Sequence, residues 1–203
     1  ATSHDKTMHR LLIIINMIRF LRFVLKNAPQ QKPRYGILKS FHFSAESEEQ
    51  IMVLDGSPFE VADPATHTTN ETVPLSQVQL LAPVEPSKII GIGLNYTDHA
   101  KEQGKPLPEI PYVFLKATSA IANPLQPIRL NRFCTNVHYE GELAIVIGKK
   151  CFEASENNAL DYIFGYTIAN DVTDRAIQKQ ELTFARAKSM DTFCPIGPYL
   201  VTG

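Results

Sequence analysis

In the segment NVHYEGELAIVIGKK, residues 136–150, Glu140 and Glu142 lie two positions apart, just ahead of the apolar run Leu143 to Ile147. A run rich in β-branched residues and closed by Gly148 and two lysines reads as a buried strand. Side chains alternate across a strand, so Glu140, Glu142, Ala144 and Val146 share one face while Leu143, Ile145 and Ile147 take the other. The two carboxylates then stand roughly 7 Å apart, at about 3.3 Å per residue. A third carboxylate, Asp171, ends the strand-like segment GYTIAND, where strand gives way to helix. Like charges repel and an unpaired buried carboxylate is expensive, so three converge only around a cation or a basic cluster. An all-oxygen donor set with no Cys or His favours Mg2+, Mn2+ or Ca2+ over zinc. Three protein ligands leave positions for water and substrate, which suits catalysis. The alternative places Glu140 and Glu142 on the solvated face of an edge strand.

Other residues carry weaker signals. In NYTDHAKE, His99 and Glu102 are at i and i+3 and meet on one helical face. A carboxylate beside an imidazole orients it and raises its basicity, as a general base requires, although a surface helical pair has the same spacing. Lys116 interrupts the apolar strand YVFLKATS, either as a snorkelling surface lysine or as an anion-binding group. Lys188 in FARAKSMDTF reads as a loop lysine, and Arg175 in NDVTDRA lies one helical turn past Asp171, within reach of Asp171 or Asp174. GIGLN lacks the G-x-G-x-x-G spacing, so no dinucleotide site is read there.

These residues must be positioned by a chain of 203 residues with 44% hydrophobic and 20% charged residues, an ordinary globular composition. The net charge of −1 gives no global field toward nucleic acid or an anionic membrane. Cys134, Cys151 and Cys194 are odd in number and widely spaced, which points to a reducing, cytoplasmic setting. The apolar run Leu11 to Ile15 falls far short of the roughly 20 residues that span a bilayer. Residues 1–16 are therefore read as an extension or leader. Arg10, Arg19 and Arg22 make a mitochondrial leader the alternative, and the first strand opens at Met17. Residues 17–75 form a small β-rich domain with strands in IRFLRFVL, RYGILKSFHF and EQIMVLDG, and VADPATHTTNETVP is its linker candidate. Residues 76–203 form a second domain with strands at Lys88 to Gly93, in PYVFLKATSAI and at Ile163 to Ala169, and with a helix beginning near Val172. Strands outnumber helices, so the expected class is mainly β or α+β.

The segments IGIGLNYTDHAKE, PYVFLKATSAI, VHYEGELAIVIGKK, GYTIANDVTDRAIQ and AKSMDTFCPIGPYLVTG, taken in this order, resemble the fumarylacetoacetate hydrolase superfamily. The resemblance runs from Lys88 to Gly203, and KPRYGIL and PLSQVQLLAPVEPSKI are similar to the small N-terminal domain of bacterial and archaeal members. It implies a mixed β-sandwich roll holding one Mg2+ or Mn2+, with Glu140, Glu142 and Asp171 as ligands. His99 and Glu102 match the dyad that activates water or shuttles a proton. Lys188 matches the lysine that steadies negative charge on the substrate, and Lys116 and Arg175 match positions lining or bracing the pocket. The implied substrate is a 2-oxo or enol (di)carboxylate, the implied assembly a homodimer. A metal-stabilised enolate opens hydrolysis, decarboxylation or isomerisation. Acylpyruvate hydrolysis and 2-hydroxyhepta-2,4-diene-1,7-dioate isomerisation are the favoured types. Family members continue past the strand matching PIGPYLVTG, so the resemblance also implies that the 76–203 domain is incomplete at its C-terminus. The alternative function is then a catalytically incomplete fragment or remnant that keeps metal binding and fold without turnover.

Overall fold

The strand β1 (Ile18–Leu25) buries Phe20, Leu21, Phe23 and Val24, so both of its faces are covered, as expected of a central strand. The computed structural model describes residues 17–39, 49–102, 104 and 106–202, with the side chain of His99 outside that set. The reading of residues 1–16 and of the SFHF end of the second strand falls outside the described residues.

After β1 come β2 (Arg34–Leu38), β3 (Gln50–Leu54), β4 (Thr68–Pro74) and β5 (Val78–Leu81). Next are β6 (Ile89–Gly93), the short helix α1 (Thr97–Glu102), β7 (Tyr112–Lys116), β8 (Ile121–Ala122), β9 (Val137–His138) and β10 (Gly141–Ile147). The chain continues through β11 (Ile163–Asn170), β12 (Thr173–Asp174), α2 (Arg175–Gln180), α3 (Ala185–Lys188), β13 (Cys194–Pro195) and β14 (Leu200–Thr202). The protein is mainly β, as its composition of short apolar runs and prolines implies. Among the described residues no helix is long and apolar enough to cross a membrane.

The contacts divide the chain into two compact units. One comprises Ala1–Val84, Leu143–Ile168 and Gly197–Gly203, the other Glu85–Glu142 and Ala169–Ile196. The first is built on an eight-stranded sheet in the order β10-β11-β14-β1-β2-β3-β4, with β5 also paired to β1. One edge of β1 pairs with β2, and β14 and β5 share the other. Leu21, Phe23, Leu38, Ile51, Val53, Val73 and Val78 form its core. Gly36 is needed there because a Cβ would collide with the Ile51 side chain. Phe23 is fully buried, so Phe23→Ala is expected to lower unfolding free energy by about 3–5 kcal/mol. A urea titration of parent and variant checks this as a shifted midpoint at unchanged slope.

The second unit carries three two-stranded pairs: β6–β7 antiparallel, β8–β13 parallel and β9–β12 antiparallel. In β7 the alternation puts Phe114 and Lys116 on the inward face while Val113 and Leu115 are exposed.

Several expectations need correction. The run Leu143 to Ile147 is not a buried strand. It lies in β10 at the end of the sheet order, and Leu143, Ile145 and Ile147 are more than half exposed at 63%, 54% and 54%. The face carrying Glu142, Ala144 and Val146 is the half-buried one, so the alternation is as expected and only the opposite, apolar face lacks cover. The linker candidate contains β4, which pairs with β3 through Ile51↔Val73 and Met52↔Thr72. Its polar residues face solvent, Val73 enters the core, and Arg34 pairs with Glu71. The helix read as starting near Val172 starts at Arg175, because Thr173 and Asp174 first pair with β9 and Asp174 caps the helix.

Candidate active site

All the charged groups described below belong to the second unit. Residues 136–140 run antiparallel to residues 171–175. The pairing Thr173↔His138 and Asp174↔Val137 is extended by Asp171 N–H donating to the Glu140 carbonyl at 2.8 Å and Arg175 N–H to the Asn136 carbonyl at 2.8 Å. The Glu140 N–H donates to the Asn170 side-chain oxygen at 3.0 Å. This ladder brings Glu140 beside Asp171 and Thr173 although about thirty positions separate them.

Two lysines reach the same place. Lys188, at the end of α3, is 3% exposed, and its Nζ donates to Glu140 Oε2 at 2.7 Å, to Thr173 Oγ1 at 2.7 Å and to Asp171 Oδ2. An ammonium has three protons, so these acceptors use its full donor set. The same nitrogen lies 4.9 Å from the centre of the Phe114 ring, a cation–π contact. Lys116, at the end of β7, is also buried and donates to Asp171 Oδ1 at 2.7 Å and to the Lys188 carbonyl. Arg175 donates to Glu140 Oε1 and to Gln178 Oε1, the latter at 2.9 Å. Both oxygens of Asp171 and both of Glu140 therefore hold cations. Lys188 is not a loop lysine, Lys116 does not snorkel to solvent, and Arg175 pairs with Glu140 rather than with Asp171 or Asp174.

The electrostatics follow from this wiring. Burial alone would raise the Glu140 carboxyl, but the hydrogen bond and charge of Lys188, then those of Arg175, hold it at about 2. Burial lowers Lys116, with the Asp171 charge and hydrogen bond opposing it. Glu142 goes the other way. Burial raises its carboxyl, a hydrogen bond from Tyr96 opposes this, and the charges of Asp171 and Glu140 add to the rise.

Glu140, Glu142 and Asp171 offer oxygen alone, the donor chemistry that Mg2+ or Mn2+ takes. The charges of Asp171 and Glu140 add to the rise of the Glu142 carboxyl, a push that a cation beside it would relieve. As the side chains stand, no group of three His, Cys, Asp or Glu among the described residues is arranged around a metal position, and Lys188 engages the oxygens of two of them. The oxygen donors match such an ion in chemistry, and an ion placed there would share Glu140 and Asp171 with Lys188. The expected dyad is placed only in part. Both positions lie on α1, Glu102 is exposed at its end, and the His99 side chain is outside the described residues.

Residues 88–203 match the family model described as fumarylacetoacetate (FAA) hydrolase, C-terminal. The chain belongs to the fumarylacetoacetate hydrolase family. Residues 18–83 match a second model, Rv2993c-like, N-terminal. A protein of Archaeoglobus fulgidus is 51% identical over 128 residues, 63% of this chain and 51% of that protein. Mitochondrial oxaloacetate tautomerase fahd2 of Xenopus laevis is 40% identical over 156 residues, 75% of this chain and 49% of the relative. Among solved structures, 2-hydroxyhepta-2,4-diene-1,7-dioate isomerase from Mycobacterium marinum superposes with a TM-score of 0.76 at 36% identity, covering 91% of this chain and 66% of that one. The chain spans about half the length of the curated relatives it matches. It has the fold of the fumarylacetoacetate hydrolase family.

Two buried residues of β12, one inside the cluster and one beside it, were not singled out by sequence reasoning. Thr173 is fully buried within it, and Asp174, also fully buried, accepts from the N–H groups of Ala176 at 2.8 Å, Ile177 at 3.2 Å and Thr135 at 3.0 Å. The signal for Asp174 was available, since an aspartate just ahead of a helix is a capping residue. Burial raises the Asp174 carboxyl, but these backbone N–H groups and the Cys134 thiol outweigh it and hold it below the ordinary carboxylate range. A depressed carboxyl adds stability above its unfolded pKa, about 3.9, and that stability is lost as pH falls through the lower folded value. Asp174→Ala is expected to destabilise the protein by about 2 kcal/mol through the lost cap and the orphaned Thr135 N–H. Asp174→Asn keeps an acceptor but is expected to flatten the acid limb of stability below about pH 4. Urea midpoints measured from pH 7 down to 2.5 test both.

Proposed function

We propose that the protein is a hydrolase or isomerase acting on a 2-oxo or enol (di)carboxylate, with Mg2+ or Mn2+ held by Glu140, Glu142 and Asp171. The observation that carries this reading is the buried Lys188 ammonium between Glu140 and Asp171. A purely structural ion pair needs one cation, whereas this cluster holds Lys116, Lys188 and Arg175 against Glu140 and Asp171, with Glu142 close enough for their charges to raise it. Such convergence of opposed charges marks functional sites. Family membership and the tautomerase and isomerase activities in the names of the relatives support the reaction class.

When bound, a divalent cation supplies Lewis acidity toward a 2-oxo oxygen and its neighbouring carboxylate. Lys188 presents a fixed positive charge to oxygen atoms that gain charge as a carbon next to the carbonyl loses its proton. The ammonium is already out of water, so its charge acts in a site of low dielectric. Lys116 fixes one Asp171 oxygen and Arg175 one Glu140 oxygen, which leaves the carboxylates little freedom to rotate. Tyr96 orients Glu142 by a hydrogen bond. His99 is assigned the proton transfer at substrate carbon or at water, with Glu102 as its orienting carboxylate.

The test is a panel of three substrates: oxaloacetate for enol–keto exchange, an acylpyruvate for C–C hydrolysis and 2-hydroxyhepta-2,4-diene-1,7-dioate for double-bond isomerisation. Each is assayed with Mg2+, with Mn2+ and with EDTA. Turnover of at least one member by the parent, abolished by EDTA, is expected. No turnover on any member with either ion would contradict the proposal and is what a catalytically incomplete remnant gives.

A further inference from the structure

We propose that Thr173 is a positioning residue: its hydroxyl fixes the Lys188 ammonium relative to the Glu140 carboxylate. This rests on the enzymatic reading above and adds to it a residue outside the proposed ligands, dyad and lysines.

Thr173 is fully buried, and β12 holds its backbone by pairing with His138. Its Oγ1 lies 2.7 Å from Lys188 Nζ, 3.1 Å from Glu140 Oε2 and 2.9 Å from the Asp171 carbonyl oxygen. A hydroxyl has one proton and two lone pairs, while an ammonium only donates. The hydroxyl therefore accepts from Lys188 and gives its own proton to Glu140 or to the Asp171 carbonyl.

Lysine is a point charge on a flexible four-carbon stem, so its catalytic use depends on what restrains its end. The side-chain acceptors of Lys188 are Glu140, Asp171 and Thr173. The two carboxylates are the groups a cation or substrate engages, so their hold on the lysine changes during function. Thr173 is neutral, short and β-branched, with a stiff χ1 and a backbone fixed in a ladder. It is the acceptor that stays in place when the carboxylates are occupied. Without it the ammonium keeps its charge but loses its fixed position, which lowers transition-state stabilisation more than substrate binding.

The experiment compares the parent with Thr173→Val, which keeps the shape and removes the hydroxyl, and Thr173→Ser, which keeps the hydroxyl and removes the methyl. Kinetics use the panel member that the parent turns over, with saturating Mn2+, and rates are expressed per folded molecule from a thermal melt. The expected result is a fall in kcat of about 10–100-fold for Thr173→Val with KM within about threefold, and kcat within about threefold of the parent for Thr173→Ser. If the valine variant does not melt cooperatively, Thr173→Cys takes its place. Its weak acceptor is expected to give a drop in kcat between those of serine and valine. Parent-like kcat in the valine or cysteine variant overturns the proposal, as does a serine variant as impaired as valine, because packing of the methyl would then be the cause. A parent that turns over no panel member overturns the enzymatic reading itself, a result distinct from both.

Discussion

Replacing Lys188 by methionine is expected to lower kcat by on the order of 10²–10³-fold, the range seen when one preorganised group that stabilises a developing negative charge is removed. The expectation comes from geometry more than from residue type. The ammonium is buried, uses all three protons on fixed acceptors and sits between the carboxylates assigned to the ion. Methionine has similar length and no charge, so the substitution removes the field while keeping most of the packing against Phe114. Among the described residues it also leaves Arg175 as the cation on Glu140 and Lys116 as the cation on Asp171. Breaking buried pairs from one side typically costs about 3–5 kcal/mol, and the remaining partners place the expected loss near the low end of that range. Rates must therefore be normalised to the folded fraction at each temperature. Lys188→Arg is not a conservative control, because a planar fork cannot place one nitrogen among the same three acceptors.

The second large effect is expected at Asp171. Each of its oxygens holds a different buried lysine, so Asp171→Asn leaves two ammoniums with one uncharged amide. One face of that amide carries N–H donors, which cannot accept from a lysine. A loss of about 3–5 kcal/mol in unfolding free energy is expected, larger than for Lys188→Met, together with loss of turnover. Calorimetric melting of parent and variant at pH 7 checks the first and the substrate panel the second. A variant that melts within a degree of the parent would show that the lysines do not depend on this carboxylate.

How much of this was legible in the sequence depends on the range of the interaction. Alternation in β1 and short apolar runs in β6 and β11 located these strands to within a residue or two, since such patterns are local. Alternation also put Glu142 on the half-buried face of β10, yet it could not show that Leu143, Ile145 and Ile147 are exposed, because apolar residues read as buried whether or not the sheet supplies a neighbour. β4 was taken for a linker because an edge strand keeps polar residues. In the site, residue types suggested the carboxylates, but the partners of Lys116, Lys188 and Arg175 lie 55, 48 and 35 positions away and follow only from the fold. Motif order supplied the family, and the family supplied expected roles. Thr173 was missed because a lone threonine has no sequence signature until its neighbours in space are known.

The proposed function stands on Glu140, Glu142 and Asp171 binding a divalent cation together. Isothermal titration of Mn2+ into the chelator-treated parent and into Glu142→Gln tests it most directly. Among the described residues Glu142 is the carboxylate of the three with no ion pair to a lysine or arginine, so its amide variant should fold normally. One binding event per chain is expected in the parent, and at least tenfold weaker binding in the variant. A melting shift with Mn2+ is also expected for the parent alone, since a ligand at about 100 times its Kd adds roughly 2.7 kcal/mol. Absence of binding by the folded parent, or equal affinity in the variant, would contradict the assignment of these carboxylates to a metal.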